Sequence, residues 1–105
     1  MVFVETPLFT SRVRTTLDDD EYRALQQALR FRPDQGVIIP GSGGLRKLRW
    51  GLKGRGKRGG LRVIYYWVTD EATILMLYLY TKQEQGDLTS TQLRQLARLA
   101  REEFK

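Results

Sequence analysis

Between Arg46 and Arg62, eight of 17 residues are lysine or arginine and none is acidic. No carboxylate occurs between Asp34 and Asp70. Cations at this density attract a polyanion, and the phosphate backbone of RNA or DNA is the obvious one. Five glycines interrupt the run, so backbone N–H groups can come close to phosphate oxygens. The chain carries a net charge of +6, but this stretch alone carries +8 and the remainder sums to −2. An even excess of lysine would serve solubility, whereas a band of charge defines a face. The plain alternative is a solvated basic hairpin with no ligand.

Within the band, Leu45, Leu48 and Leu61 alternate with Arg46, Lys47, Arg49 and Arg62, so strand geometry carries several cations to one surface. Arg62 is the sharpest case, because the strand that follows it reads Val63-Ile64-Tyr65-Tyr66-Trp67. A buried, unpaired cation is very costly. Its guanidinium must therefore reach a carboxylate, with Glu84 and Asp87 as candidates, or line a cleft and clamp a phosphate bidentately. Lys82 closes the next apolar run. If these two runs form a hairpin around Thr69–Ala72, Lys82 returns beside Leu61 and Arg62. Lys53, Lys57, Arg62 and Lys82 would then gather around one concavity. Tyr78 and Tyr80 point the same way and could stack on bases, although a strand tyrosine also serves as core or rim.

Other chemistry is excluded by composition. The chain has no cysteine and no histidine. It therefore has no thiolate nucleophile, no disulfide, and neither of the two commonest transition-metal ligands. We expect no cofactor and no metal. No apolar run is long enough to cross a bilayer. The start, Met-Val-Phe-Val-Glu-Thr-Pro, lacks a basic region and a small-residue cleavage site, so we expect no signal peptide and a cytoplasmic protein.

The elements that must position these residues are legible in outline. A chain of 105 residues has room for one domain with one modest core. Val2-Phe3-Val4 is a short strand. Thr6-Pro7 reads as a helix N-cap followed by an N1 proline. Asp18 to Glu21 places acids at a second helix N-terminus, where the macrodipole favours them, and Pro33 closes that helix. Gly36 to Gly44 reads as turns. From Leu45 to Trp50 the period becomes two, which predicts a half-buried strand. Gly51 to Gly60 is expected to be a loop. Leu61–Val68 and Thr73–Tyr80 are expected to be apolar strands paired antiparallel. Thr89 and Gln92 fit a capping box that opens a last helix with Leu93, Leu96, Ala97, Ala100 and Phe104 on one face. The predicted order is β-α-α-β-β-β-α. That is an α+β domain spanning 1–105, with a small antiparallel sheet and packed helices.

Three segments carry a resemblance. They are Gly43-Gly44-Leu45-Arg46-Lys47-Leu48-Arg49, the run from Gly56 to Tyr66 (GKRGGLRVIYY), and Tyr80-Thr81-Lys82-Gln83-Glu84-Gln85-Gly86-Asp87-Leu88. Here the chain resembles toxins of the RelE superfamily, with the HigB-type branch most similar. The resemblance implies a fold like that of microbial ribonucleases. It implies the toxin of a type II toxin–antitoxin pair, which enters the ribosomal A site, cuts mRNA and is neutralised by a cognate antitoxin. By motif, Arg62 would be the phosphate-binding arginine of the central strand. Lys53 and Lys57 would belong to the basic active-site loop, where Lys53 and Arg55 are interchangeable. Lys82 would be the basic residue after the last strand. Arg46, Lys47, Arg49, Arg55, Arg58 and Tyr80 would contact RNA. Some family members carry a tyrosine or histidine near the last helix for proton transfer. Here that region reads Leu88-Thr89-Ser90, with no titratable group beyond Asp87, which leaves lysines, Glu84 or the ribosome itself.

RNA brings its own nucleophile in the 2′-OH. Cleavage needs that hydroxyl aligned with the neighbouring phosphorus, charge stabilised on the phosphorane, and a proton for the leaving oxygen. Other functions remain open at this point. A ParE-like gyrase poison would share the scaffold and cut nothing. A non-catalytic nucleic-acid-binding module would use the basic run with Trp50, Tyr78 and Tyr80. A basic structural subunit would pair its loop with an acidic partner.

Overall fold

A computed structural model describes residues 1–52 and 56–103 and, for residues 52 and 56–59, the backbone alone. The elements are β1 (Val2–Glu5), α1 (Pro7–Thr16), α2 (Asp19–Phe31), β2 (Val37–Ile38), β3 (Arg46–Leu52), β4 (Gly56–Val68), β5 (Thr73–Thr81) and α3 (Ser90–Glu103). A single 3-10 turn, Thr69–Glu71, joins β4 to β5. The five strands form one sheet in the order β1-β5-β4-β3-β2. Among the described residues, no helix is long and apolar enough to cross a membrane.

The helices start where local chemistry satisfies their first N–H groups. Thr6 Oγ1 accepts from the Phe9 N–H at 3.0 Å. The same hydroxyl donates to the Leu77 carbonyl at 2.8 Å, which ties the start of α1 to β5. At α2, Glu21 N–H donates to Asp18 Oδ1 at 2.7 Å and Asp18 N–H donates to Glu21 Oε1 at 3.0 Å. The same reciprocal box joins Thr89 and Gln92 at α3, with both bonds at 3.0 Å.

The sheet separates two apolar layers. On one side, Phe9, Val13, Leu25 and Leu29 of α1 and α2 pack against Leu48, Leu61, Val63, Tyr65 and Met76. On the other, Leu96, Ala97 and Ala100 of α3 pack against Ile64, Leu75, Leu77, Tyr78 and Tyr80. A strand covered on both faces needs a continuous apolar run. β5 has one, with its first eight residues all buried.

Three expectations are corrected by this arrangement. The sheet is mixed, because β1 runs parallel to β5 with Val2 opposite Thr73 and Glu5 opposite Met76. A parallel neighbour needs a long crossover, and residues 6–72 provide it. Val37–Ile38 is a two-residue edge strand on β3, too short for any period to reveal. Finally, β4 begins at Gly56, inside the stretch expected to be a loop, and pairing with β3 extends to Leu52 opposite Gly56. Glycines cannot pack a core, but a ladder needs only backbone groups, which glycine supplies.

Candidate nucleic-acid interface

The register assembles a row of functional side chains on the α3 side of the sheet. Arg49 lies opposite Arg62, and Arg62 opposite Tyr80. In the next row Lys47 lies opposite Ile64, and Ile64 opposite Tyr78. Residues at facing positions share a face, so β3 contributes Lys47 and Arg49, β4 contributes Arg62, and β5 contributes the two tyrosines. The hairpin brings Lys82 back as expected, with its N–H donating to the Gly60 carbonyl at 3.3 Å. The Lys82 side chain is exposed.

Arg62 is only 6% exposed, and its Nη1 is buried with no hydrogen-bond partner among the described residues. The two carboxylates that could have paired with it are engaged elsewhere. Glu84 Oε1 accepts from the Thr81 N–H at 2.8 Å, and Glu84 Oε2 meets Arg12 Nη2 at 2.5 Å. The Thr81 N–H, followed by the Arg12 guanidinium, holds the Glu84 carboxyl below the usual carboxylate range. Asp87 Oδ1 accepts from the Leu88 N–H at 2.8 Å and from Lys47 Nζ at 3.3 Å. The Leu88 N–H chiefly, and Lys47 in addition, depress the Asp87 carboxyl. A guanidinium buried with a nitrogen unpartnered among the described residues is a costly feature.

Two expected contacts are placed differently. Arg46 shares the parity of Leu48 and Trp50 and turns to the α1–α2 side, where its Nη1 donates to the carbonyls of Gly36 at 2.8 Å and Asp34 at 3.0 Å. It splints the turn after α2 and does not join the row. Tyr80 is 1% exposed, which denies its ring to bases. Its ring centroid is 5.8 Å from that of Tyr78 inside the α3 layer. Burial and the neighbouring Asp87 carboxylate push its hydroxyl up to about 12, against the opposing pull of Arg62. Lys53 and Arg55 lie outside the described residues, and Lys57 and Arg58 are described in backbone only, within β4.

Arg12 is a residue that the sequence did not single out. From α1 its Nε donates to the Leu79 carbonyl at 2.6 Å, and its guanidinium lies 5.0 Å from the Tyr78 ring centroid. Together with its bond to Glu84, this pins the 82–88 loop from one side. Gln85 pins it from the other, accepting from the Tyr78 hydroxyl at 3.2 Å and donating to Gln92 Oε1 at 2.9 Å. No periodicity signals such a contact, because Arg12 and Glu84 are 72 residues apart in sequence.

Glu84 is thus an ionised brace between the Thr81 N–H and Arg12. A carboxyl depressed in the folded state contributes stability that is complete above its ordinary value of 4.5 and is lost as pH falls through its folded value. Thermal midpoints should accordingly decline below about pH 4.5. Glu84→Gln should lower the midpoint at pH 7 and flatten that decline. A decline of the same steepness in the variant would assign the acid sensitivity to other groups.

An α+β protein with a mixed five-stranded sheet and a cationic row on one face is the class these observations define. The family model described as "RelE toxin of RelE / RelB toxin-antitoxin system" matches residues 8–105, and the chain belongs to the RelE family. It is thus a toxin of a toxin–antitoxin system, and the family implies an antitoxin partner. Among solved structures, the chain is similar to the Escherichia coli toxin RelE in the free state, in a variant with two arginines changed to alanine. The TM-score is 0.59 over 94% of this chain and 95% of that one, at 11% sequence identity. That likeness extends to the fold.

Proposed function

We propose that this toxin is a ribosome-dependent endoribonuclease of the HigB-type branch, cutting mRNA in the A site and so stopping translation. The observation that carries the reading is the Arg62 guanidinium, buried with Nη1 unpartnered among the described residues, on the sheet face that also carries Arg49 and Lys47. A phosphate oxygen is an acceptor that would complete the bonding of such a group. In the mechanism, Arg62 grips the scissile phosphate and stabilises the charge that builds on the phosphorane. The 2′-OH of the preceding nucleotide, held by contacts along the backbone, loses its proton and attacks the phosphorus in line; the P–O5′ bond breaks, leaving a 2′,3′-cyclic phosphate and a 5′-oxygen that takes up a proton. Lys82, Lys57 and Lys53 add positive charge around the phosphate and serve in proton transfer. Arg49, Arg55 and Arg58 bind the flanking phosphates. Tyr80 serves from beneath, as a packed support for Arg62.

The test uses the purified chain with actively translating ribosomes and with free mRNA, mapping the new RNA ends. Cuts are expected within the A-site codon and only on ribosome-bound message. Absence of cuts, with inhibition of gyrase supercoiling in a parallel assay, would transfer the chain to the gyrase-poisoning reading.

A further inference from the structure

We propose that Arg12, on α1, is a positioning residue. By bonding both to β5 before Lys82 and to the turn after it, the Arg12 guanidinium fixes where Lys82 stands beside Arg62. The inference rests on the ribonuclease reading and adds to it a residue that acts through another.

Lys82 stands where β5 gives way to a turn. Tyr80 lies opposite Arg62, and the Lys82 N–H carries the ladder on by donating to the Gly60 carbonyl at 3.3 Å. Residue 82 therefore falls on the face shared by Tyr80 and Arg62. Such a diagonal neighbour of Arg62 is about 7–8 Å away. The Lys82 side chain is exposed, and a lysine on its flexible four-carbon stem has no fixed place of its own. Its placement depends on the backbone that carries it.

That backbone is held by a tight turn. The Glu84 N–H donates to the Thr81 carbonyl at 3.1 Å, while Glu84 Oε1 accepts from the Thr81 N–H at 2.8 Å and from Thr81 Oγ1 at 3.1 Å. Arg12 links this turn to the sheet. Its Nε donates to the Leu79 carbonyl at 2.6 Å and its Nη2 meets Glu84 Oε2 at 2.5 Å. Leu79 precedes Lys82 in the chain and Glu84 follows it. A guanidinium is planar and rigid, so two acceptors held by its nitrogens keep a fixed separation. The segment between them is thereby set as one piece. A second route runs through Tyr78, whose ring centroid lies 5.0 Å from the Arg12 guanidinium and whose hydroxyl donates to Gln85 at 3.2 Å.

Filling a sheet edge does not account for this arrangement. β1 pairs with β5 as far as Met76, and beyond it Thr6 Oγ1 donates to the Leu77 carbonyl. Arg12 Nε does the same for Leu79, which takes a single donor. The rest of the fork reaches the turn. Arg12 is itself anchored, with the buried Phe9 and Val13 on either side of it in α1.

The experiment is single-turnover cleavage by the full chain on ribosomes carrying mRNA. Arg12→Ala and Glu84→Gln are made alone, and each is combined with Lys82→Ala. Arg12→Ala is expected to slow the saturated rate about tenfold or more, the scale of a small misplacement at the reacting centre. The half-saturating toxin concentration is expected to change by less than about twofold. Glu84→Gln loosens the same clamp from its other end and should slow the rate by a smaller factor. In the Lys82→Ala background, each change is expected to alter the rate by less than about twofold, because the residue it acts through is gone. A merely stabilising contact would slow both backgrounds by one factor, and that result overturns the proposal. So does an unchanged rate in both single variants. Amide hydrogen exchange adds a readout besides cleavage: in Arg12→Ala the Glu84 and Gln85 N–H groups should exchange faster, with Val63 and Ile64 unchanged. Unaltered exchange in the turn overturns the clamp. If the unaltered chain cuts nothing, the ribonuclease reading falls and takes this one with it. Cutting that does not depend on Arg12 removes this inference alone.

Discussion

Arg62→Met should abolish RNA cleavage and at the same time make the protein harder to unfold. The first effect follows from losing the guanidinium proposed to grip the scissile phosphate. Removing a single preorganised donor of this kind costs on the order of 10²–10³ in rate. The second follows from the burial of Arg62 Nη1 without a partner among the described residues. An orphaned buried donor costs about 1–3 kcal/mol, and an unbranched apolar side chain of similar length removes that cost while filling the space. For a domain of this size that is a rise of roughly 4 °C or more in thermal midpoint. Arg62→Lys keeps the charge but loses the planar fork, and should fall between the two in activity. The measurements are single-turnover cleavage on ribosomes and thermal unfolding of the same preparations. A less stable Arg62→Met variant would mean that the guanidinium is bonded within the fold, and its claim on an external phosphate would fail.

Tyr65→Phe should be the most damaging conservative change in the core. The Tyr65 hydroxyl accepts from the Gly36 N–H at 2.9 Å and donates to the Pro33 carbonyl at 2.7 Å, and the residue is fully buried. Deleting one oxygen strands two backbone groups, at a cost of roughly 2–4 kcal/mol. Gly36→Ala attacks the same junction from the other side. A Cβ there would sit 2.8 Å from both Tyr65 Cε1 and Oη, and a buried ring has nowhere to retreat. The two changes should not add. With the hydroxyl gone, part of the clash is relieved, so the double variant should lose less than the sum of the singles. Denaturant unfolding of the four proteins gives that cycle. Strict additivity would show that the two residues do not act through one contact.

The fold was legible where local chemistry determines it. Caps at Thr6 and Thr89 follow from side chains that reach N–H groups three residues ahead, and the structure uses both; the acids at Asp18–Glu21 marked the start of α2, where Asp18 proves to be the cap. The β4–β5 hairpin followed from two apolar runs flanking a short polar turn, and its register put Lys82 beside the start of β4. What escaped notice depends on distant partners. Nothing within Val2–Glu5 says that its neighbour is β5 and not β2. Nothing around Arg12 names Glu84. Strand alternation placed Lys47, Arg49 and Arg62 together, but Arg46 has the opposite parity, which a run of consecutive cations conceals. Tyr80 shows the limit of residue type as a guide. Its ring looked suited to bases, yet its position under α3 makes it core.

The parallel pairing of Val2–Glu5 with residues 73–76 has a consequence in time. At ordinary elongation rates of about 5–20 residues per second, β1 waits on the order of ten seconds for the strand it joins. The Arg62–Tyr80 pairing likewise cannot close until the second of those residues has been made. The machine that synthesises this toxin is thus the machine it is proposed to attack, and the order of manufacture itself keeps the weapon unassembled until most of the chain has been built.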